Sequence, residues 1–157
     1  MQNADQITKN LWQGGVPSRG SALNEAGFDT LVLCAREWQL PSVYFPKVKV
    51  IHAPNDDYPE DPSKPTPQQL QTAVRTAFEV ADDIRSGKKV LVTCAAGMNR
   101  SGLVTAMSLH LLYGWSGPRC VAHVRLNRTW GDDGYMPLSN PQFVRVLSRL
   151  PDQTGEE

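Results

Sequence analysis

Three cysteines in 157 residues, Cys34, Cys94 and Cys120, are too few and too odd in number for a disulfide scaffold. They also lack the paired spacing of a structural zinc site, so free thiols in a reducing compartment are expected, with no metal and no cofactor. No run of about 18 apolar residues occurs, and Met1-Gln2-Asn3-Ala4-Asp5-Gln6 contains no basic region leading into an apolar one. Neither a membrane span nor a secretory leader is expected, and the chain reads as soluble and cytoplasmic. Excess charge is missing too, with 16 Lys and Arg against 16 Asp and Glu. The whole-molecule field then recruits neither nucleic acid nor an acidic membrane, and any anion site must be local. Nothing repeats, and no segment is low in complexity apart from one loop.

What remains is an ordinary globular composition, 40% hydrophobic and 20% charged with 12 Gly and 12 Pro, which excludes collagenous, disordered and coiled-coil classes. A chain of this length buries roughly 70% of its unfolded surface. One domain over residues 1–151 is expected, followed by a short polar tail, 152–157, with a monomer favoured.

The apolar pattern alternates between short runs and helical stripes. Asp29–Cys34, Lys49–Ala53 and Lys89–Thr93 are β-prone runs bounded by breakers. Between the second and third, Leu70, Ala73, Val74, Ala77, Phe78, Ala81 and Ile84 recur at three and four, the stripe of an amphipathic helix that Gly87 closes. Strand, helix, strand predicts a parallel crossover. After the third strand, Leu103 to Leu112 is apolar on most sides, as a helix buried within the domain requires, starting near Arg100 and running to Gly114. Two more helices are predicted. One opens at Pro118, and one is capped by Asn140 with Pro141 at its first position and stopped by Pro151. The segment Pro54–Pro67 holds five prolines and four acidic residues and reads as an extended loop of the kind that carries function.

The chemistry gathers at the end of the third strand, in Thr93-Cys94-Ala95-Ala96-Gly97-Met98-Asn99-Arg100-Ser101-Gly102. A loop between a strand and a helix turns successive N–H groups into a concavity at the positive pole of the helix, a geometry that holds a tetrahedral oxyanion. Ala95, Ala96 and Gly97 let the backbone come close, Met98 and Asn99 complete the cradle, and Arg100 supplies a planar fork for two phosphate oxygens. Cys94 at the floor is then a nucleophile aimed at phosphorus, giving a cysteinyl-phosphate intermediate that water cleaves. Ser101 is within reach of the sulfur as it leaves. Asn99 is read as holding the loop's own backbone.

In these residues the chain resembles the cysteine-dependent protein phosphatases, in particular the dual-specificity group, whose signature is Cys, five residues, Arg, then Ser or Thr. The resemblance runs over nearly the whole chain. Ile7–Gly15 is similar to the family's opening strands, Phe28–Cys34 to its next strand, Val124–Arg128 to its arginine helix, and Leu138–Phe143 to its Asn-x-x-Phe ending. It implies the cysteine-phosphatase fold: a three-layer α/β domain with a mostly parallel mixed sheet of about five strands flanked by helices. It also implies a general acid on a separate loop. Asp57, in Asp57-Tyr58-Pro59, is favoured over Asp56. The family usually has histidine before its nucleophile where this chain has Thr93, which implies a weaker enzyme or one working at higher pH, with the Thr93 hydroxyl as a substitute donor.

The implied activity is hydrolysis of phosphorylated proteins or small phosphoesters, with phosphotyrosine foremost. A catalytically silent phospho-binding module and a polynucleotide 5′-phosphatase are the alternatives. Cys34, Cys120 and His110 read as core residues. Arg119, Arg125 and Arg128 read as structural, with a second phosphate pocket as the sharper alternative.

Overall fold

The computed structural model describes residues 3–57, 67–130 and 134–156. Strands β1 (Ala4–Thr8) and β2 (Leu11–Gly14) form an antiparallel hairpin. Its turn puts Asn10 at φ 65°, a left-handed conformation that asparagine tolerates better than most residues. β2 pairs in parallel with β5 (Val90–Thr93), β5 with β3 (Thr30–Ala35), and β3 with β4 (Lys49–Asn55). The order β1-β2-β5-β3-β4 leaves only the edge strand β1 antiparallel. This is the mostly parallel five-stranded sheet that the sequence implied.

Successive side chains of a strand point to opposite faces, and here the alternation divides the core in two. Val32 and Cys34 of β3 and Val90 and Val92 of β5 join a large cluster on one face. Leu31 and Leu33 of β3 and Leu91 of β5 join a smaller cluster with Leu23, Phe28 and Phe45 on the other. Both faces are covered, as near-continuous apolar parallel strands require.

The coverage is unequal. On the large face lie α2 (Pro67–Arg85), α3 (Arg100–Tyr113), α4 (Gly117–Asn127) and α5 (Pro141–Leu147). α3 packs on α2, α4 and α5, and every residue from Arg100 to His110 is buried. This is why its sequence lacks a polar stripe. Among the described residues, the small face has only the one-turn helix α1 (Ala22–Glu25) and the segment around Phe45.

Several boundaries differ from the sequence reading. β4 runs on through Pro54 to Asn55 and α2 starts at Pro67, so the extended loop is shorter at both ends than expected. Its residues 58–66, including Tyr58, Pro59, Glu60 and Asp61, lie outside the described residues, as do Gly131, Asp132 and Asp133. α5 ends at Leu147 rather than at Pro151, because Ser148 caps it with its N–H on the Val144 carbonyl. The C-terminal segment is fastened, with the Gln153 N–H donating to the Gly114 carbonyl at 2.7 Å.

Because β2, β5, β3 and β4 are parallel, their C-terminal ends share one edge of the sheet. Gly14, Thr93, Ala35 and Asn55 stand there, and ligand sites of open α/β sheets form at that edge. Among the described residues, no helix is long and apolar enough to cross a membrane.

Candidate active site

Residues 94–99 connect β5 to α3. Continuing the alternation of Val90 and Val92, Cys94 faces the large cluster and is 4% exposed. The loop is gripped from outside by its carbonyls. Arg128 donates from Nε to the Gly97 carbonyl at 2.9 Å and from Nη2 to that of Ala96 at 3.3 Å. Gln13 Nε2 donates to the Gly97 carbonyl at 2.9 Å and the Leu138 N–H to that of Met98 at 3.1 Å. In a trans peptide the C=O and the following N–H point opposite ways, so these outward carbonyls turn the N–H groups of Gly97, Met98 and Asn99 inward. Among the described residues, none of the N–H groups from Ala95 to Asn99 meets a protein acceptor. Such a row of free donors beside a helix N-terminus suits a tetrahedral oxyanion.

Gly97 makes the fold of the loop possible. It sits at φ +74°, and a Cβ there would lie 2.5 Å from the Gly14 carbonyl carbon and from Arg128 Nη2. No other residue type fits between β2 and Arg128.

Arg100 opens α3 and is 7% exposed. Its Nη1 donates to Glu37 Oε1 at 2.5 Å and to the Asn55 carbonyl at 3.1 Å, and its Nη2 donates to Glu37 Oε2 at 3.1 Å. A guanidinium has five N–H donors. Three are engaged, and Nε is buried without a partner. An unpaired buried donor costs about 1–3 kcal/mol. What remains is the Nε edge with one Nη2 hydrogen, the side-on fork that matches two oxygens of an oxyanion. Hydrogen bonds from Arg100 hold the Glu37 carboxyl below its ordinary value against slight burial. Burial opposes the charge on Arg100, but Glu37, then Cys94 and Asp57, reinforce it. Ser101 Oγ lies 3.2 Å from Cys94 Sγ, within hydrogen-bond reach.

No family model matches the chain, and no curated protein matches it. Solved structures do. Human DUSP28 is 21% identical with a TM-score of 0.71, covering 96% of each chain. Tk-PTP in its active form is 24% identical at 0.69, over 94% of this chain and 97% of that one. A human tyrosine phosphatase-like serine/threonine/tyrosine-interacting protein is 16% identical at 0.66, over 94% of each. The chain has the dual-specificity phosphatase fold.

In this fold the two aspartates that follow β4, Asp56 and Asp57, differ sharply. Asp56 pairs through both oxygens with Arg36 Nε at 3.1 Å, and the pair is about half exposed. Asp57 instead faces the loop of residues 94–99. Its Oδ2 accepts from Asn99 Nδ2 at 3.2 Å and its Oδ1 from Asn140 Nδ2 at 3.1 Å. Asn140 Nδ2 also donates to the Asp57 carbonyl.

Two details correct the sequence reading, and a third, the expected cap at Asn140, is extended. Asn99 has right-handed backbone angles, φ −102° and ψ −60°, and its side chain binds Asp57, Ser139 and the Asn140 N–H. It thus joins three segments and does not hold the loop's own backbone. Positive φ falls to Gly97, which can take it at no cost. The Thr93 hydroxyl donates to the Val32 carbonyl at 2.7 Å, so it fastens β5 to β3 and does not serve the sulfur, because its side chain points away from that of Cys94. Asn140 caps α5, accepting from the Gln142 N–H at 3.0 Å, and also reaches Asp57.

Cys34 and Cys120 are buried and in no disulfide, and burial, then the neighbouring Cys94, pushes the Cys34 thiol far up. His110 is a core residue whose Nδ1 lies 2.6 Å from the Trp115 carbonyl. Arg128 has four of its five donors engaged, since beyond the loop it donates to Asp5 Oδ2 at 2.9 Å and Asn3 Oδ1 at 2.7 Å. Burial would push the Asp5 carboxyl up, but the Thr129 N–H and side chain together with Arg128 hold it below its ordinary value. Arg125 donates to the Pro137 and Leu138 carbonyls. Both arginines act on loop backbone.

Sequence reasoning missed Glu37, Arg36 and Gln13. A glutamate after a strand looks like any solvated turn, and nothing local marks it as the partner of Arg100. Gln13 did carry a signal, a long polar side chain in a short strand, here fully buried. Among the described residues, no cluster of His, Cys, Asp and Glu is built to hold a metal ion.

Proposed function

We propose that this chain is a phosphomonoester hydrolase of the protein tyrosine and dual-specificity type, working through a cysteinyl-phosphate intermediate. The observation that carries the reading is the set of unmet donors around Cys94: five loop N–H groups and the free Nε edge of Arg100. A phosphoryl group there has its three equatorial oxygens bound, and its charge is stabilised most as the P–O bond loosens.

Cys94 Sγ attacks phosphorus as its thiolate, the P–S bond forms and the bond to the leaving oxygen breaks. Asp57, as the acid, gives that oxygen its proton. In the second half Asp57, now a carboxylate, takes a proton from water, which attacks phosphorus and expels the sulfur. Ser101 donates to the departing sulfur, and phosphate leaves. Ala95, Ala96, Gly97, Met98 and Asn99 bind the phosphoryl oxygens through their backbone. The substrate is a phosphorylated protein or small phosphoester, phosphotyrosine foremost. A mechanism that needs a reduced thiol fits a cytoplasmic, reducing compartment, as do three cysteines held in no disulfide.

One observation favours a second reading, a silent phospho-binding domain: among the described residues, no side chain other than Ser101 is within hydrogen-bond reach of the sulfur, because Thr93 is committed to Val32. Hydrolysis of p-nitrophenyl phosphate from about pH 5 to pH 8 decides between them. The phosphatase reading expects turnover that Cys94→Ser abolishes. Asp57→Asn then lowers kcat about 100-fold or more and removes the limb that needs the protonated acid, while Asp56→Asn, which keeps an amide oxygen to accept from Arg36 Nε, leaves that limb in place. An inert wild type that still binds vanadate makes the chain a phospho-reader.

A further inference from the structure

Two carboxamides meet the Asp57 carboxyl, one from the phosphate loop and one from the start of α5. Asn99 donates to Oδ2 at 3.2 Å and Asn140 to Oδ1 at 3.1 Å. Both are buried, Asn140 fully and Asn99 at 6% exposure, so neither contact is a chance meeting of solvated side chains. Neither amide is free to turn over. The Oδ1 of Asn99 accepts the Asn140 N–H at 2.8 Å, and the Oδ1 of Asn140 accepts the Gln142 N–H at 3.0 Å. A backbone N–H can only donate, so each amide oxygen is fixed toward its backbone partner and each NH2 toward Asp57.

The consequence for Asp57 is specific. A carboxyl that sees only donors on these two sides can carry its proton only on the remaining lone pairs. Asn140 also holds the Asp57 backbone carbonyl, so the main chain and side chain of this residue are fixed together.

We propose that Asn99 and Asn140 are positioning residues for the general-acid step, locking the Asp57 carboxyl against the phosphate loop so that its proton is presented to the leaving oxygen. The proposal rests on the reading of Asp57 as the acid. It makes the hydrolysis of esters with poor leaving groups, phenyl and alkyl phosphates, depend on two side chains that never touch phosphorus. Arylphosphates with good leaving groups need the proton less and depend on them less.

The test uses the full chain with p-nitrophenyl phosphate and phenyl phosphate as paired substrates. Asn140→Ser keeps a side-chain oxygen to cap α5 and removes the amide donor. Asn99→Ser is the independent second variant. Asn140→Ser is expected to slow phenyl phosphate turnover about tenfold or more while slowing p-nitrophenyl phosphate no more than about threefold, and Asn99→Ser, within the loop, to slow phenyl phosphate more than p-nitrophenyl phosphate whatever its effect on the latter. In an Asp57→Asn background neither substitution is expected to slow phenyl phosphate more than p-nitrophenyl phosphate, because the group they position no longer carries the proton. Equal losses on both esters, or a larger loss on phenyl phosphate that persists in the Asp57→Asn background, overturn the proposal and leave the asparagines a purely structural role. If Asp57→Asn itself hydrolyses both esters like wild type, the acid assignment fails and the proposal with it. A wild-type-like Asn140→Ser beside an impaired Asp57→Asn removes the positioning role alone.

Discussion

Replacing Arg128 by alanine separates a scaffold from a substrate ligand. The guanidinium is 3% exposed as a side chain and donates to four groups: the Gly97 and Ala96 carbonyls, Asp5 and Asn3. The Gly97 carbonyl keeps a second donor in Gln13, and Asp5 keeps the Thr129 N–H at 2.8 Å, so the loss is softened at two of the four. The Asp5 side chain is 28% exposed, and water will reach it once Arg128 is gone. Taking the lower part of the range for breaking one side of a buried charge pair gives about 3 kcal/mol. For a chain of this size that lowers Tm by roughly 6–12 °C. Calorimetry gives the melting shift, and p-nitrophenyl phosphate kinetics well below the lowered Tm give the effect on the loop. With the Ala96 carbonyl released, the loop N–H groups lose their alignment. kcat/KM is therefore expected to fall about 10–100-fold, mostly in kcat, since transition-state charge is what the aligned donors serve. An unchanged Tm with the loss confined to KM would refute the reasoning and make Arg128 part of a second phosphate pocket.

Gly97→Ala is expected to pay about 1–2 kcal/mol for its left-handed backbone and more for the contact with β2, whereas Gly20→Ala, at φ +87° with nothing within 4 Å, pays the backbone strain only. Parallel thermal melts give the excess for Gly97, and equal shifts in the two variants would show that the β2 contact does not constrain the loop. Glu37→Gln removes the charge that orients Arg100. Because the Glu37 carboxyl lies below its ordinary value in the fold, its contribution is complete above the ordinary value of 4.5 and is lost as pH falls through the folded value. With the side chain 52% exposed, that contribution is no more than about 1 kcal/mol. The Tm gap between wild type and Glu37→Gln, measured from pH 7 downward, should close at acid pH, and a gap that widens there would reverse the sign.

The fold was legible where a local rule and the tertiary structure agree. Val90 to Thr93 is apolar on both faces because β5 is central, and Leu103 to Leu112 lacks a polar stripe because α3 is enclosed by α2, α4 and α5. Pro141 and Asn140 marked the start of α5 through capping chemistry that needs no partner elsewhere. Its end was less clear, since Ser148 caps it three residues before Pro151. In the site, Cys94, Arg100 and Ser101 were legible because eight consecutive positions, 94–101, set their geometry. Glu37 was not, being 63 residues from Arg100, and no pattern within either segment records that the end of β3 lies beside the end of β5. Thr93 was read only half correctly for the same reason: its hydroxyl was identified as a donor, but the acceptor, the Val32 carbonyl, belongs to another strand.

The choice between Asp56 and Asp57 shows how a tie in sequence is broken by surroundings. Adjacent residues on an extended segment point opposite ways, so only one of the two can face the loop while its neighbour faces outward. Arg36, which follows directly on β3, takes the outward one, and it stands next to Glu37, which takes Arg100. A single turn, Arg36–Trp38, therefore holds both the guanidinium of Arg100 and the carboxylate of Asp56. Removing Arg36 should then misplace Asp57 as well as free Asp56. Arg36→Ala is expected to lower turnover of phenyl phosphate more than that of p-nitrophenyl phosphate although Arg36 touches neither Asp57 nor the loop. Because the Arg36–Asp56 pair is exposed, its removal should shift Tm by no more than about 2–4 °C. A variant that loses neither rate nor ester selectivity would mean that the two asparagines alone hold Asp57 and that the Arg36 pair is surface decoration.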